Sequence, residues 1–228
     1  MKTFGEIAFT PAVQALQERY GSRAAYARRQ HERDPGEGLG PDEIAFLAEA
    51  DSFYLATVSE TGWPYVQHRG GPKGFLKPVG PARLAFADFR GNRQYVSAGN
   101  VATNDRASIF VMDYANRARL KLLGRLRFVE IDAADVALRD AVTAADYPGR
   151  PERIAIFDVA AFDWNCSQHI TQRFTLAEVE VHTRSLRAHR RTGDGACGIA
   201  RPSVNRRRGR TAGVIGQELR HDIRRNRQ

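Results

Sequence analysis

Residues 52–69 read SFYLATVSETGWPYVQHR, and this stretch decides the fold class. Ser52–Ser59 concentrates aromatic and β-branched residues, Glu60-Thr61-Gly62 is turn chemistry, and Pro64–Arg69 resumes an extended pattern. Two such runs across a short turn form a β-hairpin. Downstream, Gly70–Pro81 (GGPKGFLKPVGP) reads as a Gly/Pro-rich connection. Arg83–Asp88 (RLAFAD) is a strand, Asn92–Thr103 a helix, and Ala107–Asp113 (ASIFVMD) a further strand. Arg119–Ile131 is a long strand whose Gly124 marks a bulge or bend. Ala133–Ala145 is helical, Arg153–Phe162 is the last strand, and Thr175–His182 is a last short helix. Six strands joined mostly by short turns predict an antiparallel barrel or sandwich with peripheral helices, mainly β (α+β). A doubly wound parallel sheet would need a helix after nearly every strand.

Upstream, Thr10-Pro11 opens a helix over PAVQALQERYGSRAAYARR that breaks near Gly21-Ser22. HERDPGEGLG is a linker, and a short helix with Ile44, Phe46 and Leu47 on its apolar face follows Pro41. Residues 1–40 are thus expected to be a helical extension and residues 41–183 the main domain. The 45 residues from Arg184 hold 13 Arg, no Lys and 3 acidic residues, a net of +10. Of the chain's 35 basic and 26 acidic residues, 22 and 23 remain for residues 1–183, a net of −1. Poor in large apolar residues, residues 184–228 cannot bury enough surface to offset ordering entropy and are expected to be a disordered basic tail. The charge that suggests nucleic acid therefore lies outside the expected domain, and nucleic-acid binding is not the favoured reading. No run approaches the ~20 apolar residues of a membrane span, and no leader pattern opens the chain, so a cytoplasmic location is expected. Cys166 and Cys197 are read as free thiols.

Residues suited to binding chemistry fall in two clusters. One is Tyr65–Pro72, with Gln67, His68, Arg69 and Gly70; the other is Phe86–Tyr95, with Asn92, Arg93 and Gln94, followed by Ser97 and Asn100. Both put Arg, Gln or Asn beside glycines at strand ends. That combination suits a phosphate, held by arginine forks, close backbone N–H groups and a helix N-terminus. Gln67, Gln94 and Asn100 could also serve the edge of a flat heteroaromatic ring. The competing reading is structural: strand-end arginines are commonly solvated, and a strand histidine is commonly a packed one. Gly193, Gly195 and Gly198 match G-x-G-x-x-G, but no strand precedes them and no helix follows. Cys166 with His169 is too few ligands for a metal. No nucleophile–base set can be assembled, and no residue is assigned as catalytic, which points to chemistry carried by a cofactor.

The segments DSFYLATVSETGWPYVQHRGGPKGFL, LAFADFRGNRQYVSAGNVATNDRA and FVMDYANRARLKLLGRLRFVE occur in order between Asp51 and Glu130. In that order they resemble the FMN-binding split-barrel family, the pyridoxamine 5'-phosphate oxidase-like flavoproteins. FDWNCSQHITQRF further resembles the C-terminal segment of a bacterial subgroup. The resemblance implies a six-stranded split barrel, a homodimer, and FMN at the subunit interface. It implies that the strand of Gln67, His68 and Arg69 lies along the flavin, with Gly70 and Lys73 following it. Asn92, Arg93, Gln94 and Ser97 would hold the phosphate and ribityl chain. The partner would add groups from the long strand near Lys121 and from Gln168, His169 and Arg173. Gly-Gly-Pro-Lys and Asn-Arg-Gln stand where the authentic oxidase has a lysine after its strand arginine and an Arg-Lys pair before the helix, so the resemblance carries the flavin site and not the substrate.

Three functions follow as expectations: an FMN-dependent oxidoreductase acting on a small redox substrate; a non-catalytic module for flavin, deazaflavin or haem, with His68 or His169 as haem ligands; and a nucleic-acid binder acting through the arginine tail.

Overall fold

In the computed structural model, residues 1–32, 36, 38–144, 146–164, 167–181 and 183–184 are described. The hairpin forms as expected: β1 (Ser52–Val58) pairs antiparallel with β2 (Pro64–Gly70). Then come β3 (Lys77–Gly80), β4 (Arg83–Phe89), β5 (Arg106–Asp113), β6 (Ala118–Glu130) and β7 (Pro151–Trp164). They make one sheet in the order β2-β1-β5-β6-β7-β4-β3, and every pairing is antiparallel. The sheet thus has seven strands, not the six expected. The additional strand, β3, lies in the Gly/Pro stretch and contains Pro78. Among the described strands it pairs only with β4, at the sheet's edge, where a residue without an N–H is tolerated.

Alternation sets the core. Phe53, Leu55 and Thr57 of β1 point inward, with Leu84 and Phe86 of β4, Ile109 and Val111 of β5, and Leu120, Leu122 and Leu126 of β6. Phe53, Phe75 and Phe86 meet with ring centroids 5.1–6.3 Å apart. β4 and β7 are covered on both faces. A second cluster of Ala85, Ala87, Ile154 and Ile156 lies under α6 (Val136–Val142), which Asp135 caps through the Leu138 N–H. Gly124 marks a register shift between β6 and β7, and a Cβ there would lie 2.3 Å from the Asp158 carbonyl oxygen. The expected bulge is present, and only glycine permits that approach.

The N-terminal helix breaks as read, into α2 (Pro11–Arg19) and α3 (Arg23–Glu32), with Gly21 in the left-handed region. An unanticipated helix, α1 (Phe4–Ala8), precedes it, closed by a capping box between Thr3 and Glu6. The Lys2 N–H bonds the Ala160 carbonyl of β7, and the Phe4 ring lies 4.3 Å from Lys121 Nζ. α4 (Pro41–Glu49) is tied by buried Glu43, which accepts from the Gly40 N–H and Trp164 Nε1. Residues 1–175 form one compact unit. A second unit begins at Leu176, and its described residues, 176–181 and 183–184, are helical. Cys166, Cys197, the Gly193–Gly198 motif and the arginine tail from residue 185 lie outside the described residues. No helix among the described residues is long and apolar enough to cross a membrane.

Candidate functional site

A cleft of about 260 Å³ opens where β2, the end of β4 and the start of β7 face α5 (Val96–Thr103). Inward-facing Tyr65, Gln67 and Arg69 of β2 line one side. Asp88 and Arg153 form its floor, and residues Asn92–Ser97 its far wall. Arg69 and Arg93 therefore share one cavity.

Asp88 organises the floor. It follows four fully buried residues of β4, and a carboxylate in such a strand requires partners. It accepts from Arg69 Nη1 and from Arg153 Nε (3.1 Å) and Nη2 (2.5 Å). Arg153 is its cross-strand neighbour on β7. Arg153 also lies 4.9 Å from the ring centroids of both Tyr95 and Phe128.

The far wall is a loop whose backbone reverses hand. Arg93 and Tyr95 both have positive φ, +61° and +54°. Asn92 Oδ1 accepts from the Gln94 N–H at 3.2 Å, steadying the turn. Tyr95 is the N-cap of α5 but its side chain caps nothing. The first-turn N–H groups of α5 are thus left to solvent or to a ligand, beside a left-handed turn of the kind that forms anion nests. Arg93 Nε donates to the Tyr95 hydroxyl at 2.9 Å; that bond, with Glu152 behind it, holds the guanidinium above its usual pKa range. Arg90 pairs with Glu152 at 3.4 Å on the rim. Ser97 donates to Gln67 Oε1 at 2.9 Å, which leaves the Gln67 amide N–H groups for the cleft.

Gln67, Arg69, Asn92, Arg93, Gln94 and Ser97 are brought together at this cleft. The other candidates lie elsewhere. His68 and Gly70 are on the opposite face of β2, with His68 edge-on to Tyr54 at 5.7 Å. Lys73 pairs with Glu49. Asn100 is buried one turn deeper and donates to Thr57 Oγ1, tying α5 to β1. Lys121 pairs with Asp163 at 3.0 Å beneath the Phe4 ring. Arg173 lies over Tyr114, Gln168 is exposed, and His169 has a positive φ; none of the three lines the cleft of its own chain. Among the described residues no group of three His, Cys, Asp or Glu side chains could hold a metal.

The family model for pyridoxamine 5'-phosphate oxidase matches residues 41–164, from the start of α4 to the end of β7. The chain belongs to the pyridoxamine 5'-phosphate oxidase family. The match spans every strand and the whole cleft, so the arrangement above is this family's domain. No curated protein matches the chain. Among solved structures, it is similar to HupZ of Group A Streptococcus at 13% identity, over 60% of this chain and 100% of that one, with a TM-score of 0.42. An FMN-binding protein of Syntrophomonas wolfei matches at 13% identity, over 53% and 81%, with a TM-score of 0.41. A pyridoxamine 5'-phosphate oxidase-related, FMN-binding protein of Nostoc punctiforme matches at 15% identity, over 56% and 86%, with a TM-score of 0.38.

Proposed function

We propose that the chain is a homodimeric FMN-dependent oxidoreductase whose flavin lies in the cleft between β2 and α5. The observation that carries this reading is the convergence of two unlike halves on one cavity. One half suits a dianion: the Arg93 guanidinium, two left-handed residues and the uncapped start of α5. The other suits the edge of a flat ring: the Gln67 amide, the Arg69–Asp88–Arg153 floor, and Tyr65. Arg69 Nε is buried without a hydrogen-bond partner among the described residues, a donor beside the cleft still to be satisfied. The residues present therefore fit FMN.

FMN, when bound, supplies the two-electron chemistry. The chain binds and orients it. Arg93 and the first turn of α5 hold the phosphate. Ser97 fixes the Gln67 amide so that its N–H groups face the ring. No residue is needed as a catalytic acid or base.

A second copy of the chain completes the site. A cavity of about 260 Å³ falls short of the roughly 300–1,000 Å³ typical of ligand pockets. The outer face of β1 and β2 carries exposed apolar side chains: Val66 is 61% exposed and Tyr54 37%, and Trp63 at the hairpin turn is 76% exposed. Such a patch on a folded chain marks an interaction surface.

The test is the purified protein's absorption spectrum, with mass spectrometry of any ligand released on denaturation. A flavin spectrum and the mass of FMN support the reading. A colourless protein that takes up no added FMN overturns it, and a Soret band on adding haem would favour the haem-binding alternative.

A further inference from the structure

The floor of the cleft carries unbalanced charge. One carboxylate, Asp88, faces two guanidiniums, Arg69 and Arg153, and neither arginine has another acidic partner among the described residues. All three side chains are mostly buried, at 5% exposure for Asp88, 15% for Arg69 and 16% for Arg153. Arginine stays charged at any accessible pH, so the trio holds one positive charge in surplus. The other charges lie at the rim: Arg93 and Glu152 line the cleft there, and Glu152 pairs with Arg90 at 3.4 Å and accepts from the Tyr95 hydroxyl at 3.4 Å. A surplus charge shielded from water acts more strongly and is less screened by salt than one on the surface.

We propose that the Arg69–Asp88–Arg153 trio is a fixed positive floor that sets the reduction potential of the flavin bound above it. Asp88 acts as the positioning residue that orients both arginines and limits the surplus to one charge. The inference rests on the functional reading above. Reduction adds two electrons and one proton to the ring and leaves it one unit more negative. A cation beneath the ring therefore favours the reduced form. Two features hold this charge in place. Asp88 receives Arg153 through two of its nitrogens, and the Tyr95 and Phe128 rings hold the same guanidinium at 4.9 Å independently of Asp88. Arg153 thus keeps a seat when Asp88 is neutralised.

The experiment measures the potential of the FMN-loaded full-length chain, at fixed pH and salt, by anaerobic dithionite titration against a reference dye. Asp88→Asn raises the surplus to two charges and moves the equilibrium toward reduced flavin by about tenfold, roughly 30 mV for a two-electron couple. Arg153→Gln abolishes the surplus and moves it about as far in the opposite direction. Arg153→Lys keeps the charge and stays near wild type. A role confined to structure would not give shifts of opposite sign. If Asp88→Asn fails to fold, the contrast between Arg153→Gln and Arg153→Lys decides alone. Shifts of the same sign, or an Arg153→Gln potential equal to that of wild type, overturn the inference while leaving FMN binding intact. A chain that takes up no FMN overturns the functional reading and this one with it.

Discussion

Arg69 of β2 donates to Asp88 of β4, although β2 is one edge of the sheet and β4 lies next to the other. The sheet therefore wraps until its ends meet, and a buried ion pair closes the seam at the floor of the cleft. Removing one member of such a cluster strands the others. Asp88→Ala leaves two mostly buried guanidiniums without their counter-charge and is expected to cost about 3–5 kcal/mol in urea unfolding. An unchanged midpoint would mean that the seam carries no stability.

Arg93 is exposed, and among the described residues its only side-chain hydrogen bond is to the Tyr95 hydroxyl, so its loss should cost the fold little. A charged hydrogen bond is worth about 1.5–3 kcal/mol. Arg93→Ala should weaken FMN binding about tenfold or more and leave riboflavin, which lacks the phosphate, unaffected. Fluorescence-quenching titrations with the two flavins check this. Equal losses for both would place the phosphate elsewhere.

Val66 on the outer face of β2 is 61% exposed, so a charge there is compatible with the folded chain. Val66→Glu is expected to turn the dimer into a monomer in sedimentation velocity and to lower FMN retention. A monomeric wild-type chain, or an unaltered assembly in the variant, contradicts the proposed interface.

Glu6 accepts from the Thr3 backbone N–H at 2.6 Å and from the Thr3 hydroxyl at 2.9 Å, and these two bonds, the backbone one first, hold its pKa below the usual glutamate value. A depressed folded pKa makes the contribution of the capping box fully present above the unfolded carboxylate range. It is lost as pH falls through the folded pKa. An NMR titration should show a Glu6 midpoint below that of a free glutamate. Thr3→Val, which keeps the backbone donor, should move the midpoint only part of the way back.

Much of this architecture is legible in the sequence, because β1, β5 and β6 alternate and the turns announce themselves. β3 is not, since Lys77-Pro78-Val79-Gly80 carries turn composition and becomes a strand only because the sheet edge tolerates Pro78. In β2 the alternation that turns half-buried Tyr65, Gln67 and Arg69 inward also turns His68 outward, so strand parity separates the cleft-lining residues from their neighbour. An acid after Leu-Ala-Phe-Ala is a visible sign that Asp88 needs a cation. Its partner Arg153 is 65 residues away and is identified only by the β4–β7 register. Lys121 meets Phe4 of an N-terminal helix as well as Asp163, and the Phe4 contact is long-range with no local signature.

A crystal structure of the chain grown with FMN tests the central claim most directly. The phosphate is predicted to lie within hydrogen-bond reach of Arg93 and the first-turn N–H groups of α5, with the ring along Gln67 and above Asp88. Flavin density seated anywhere else, or a cleft that stays free of it at saturating FMN, would contradict the account.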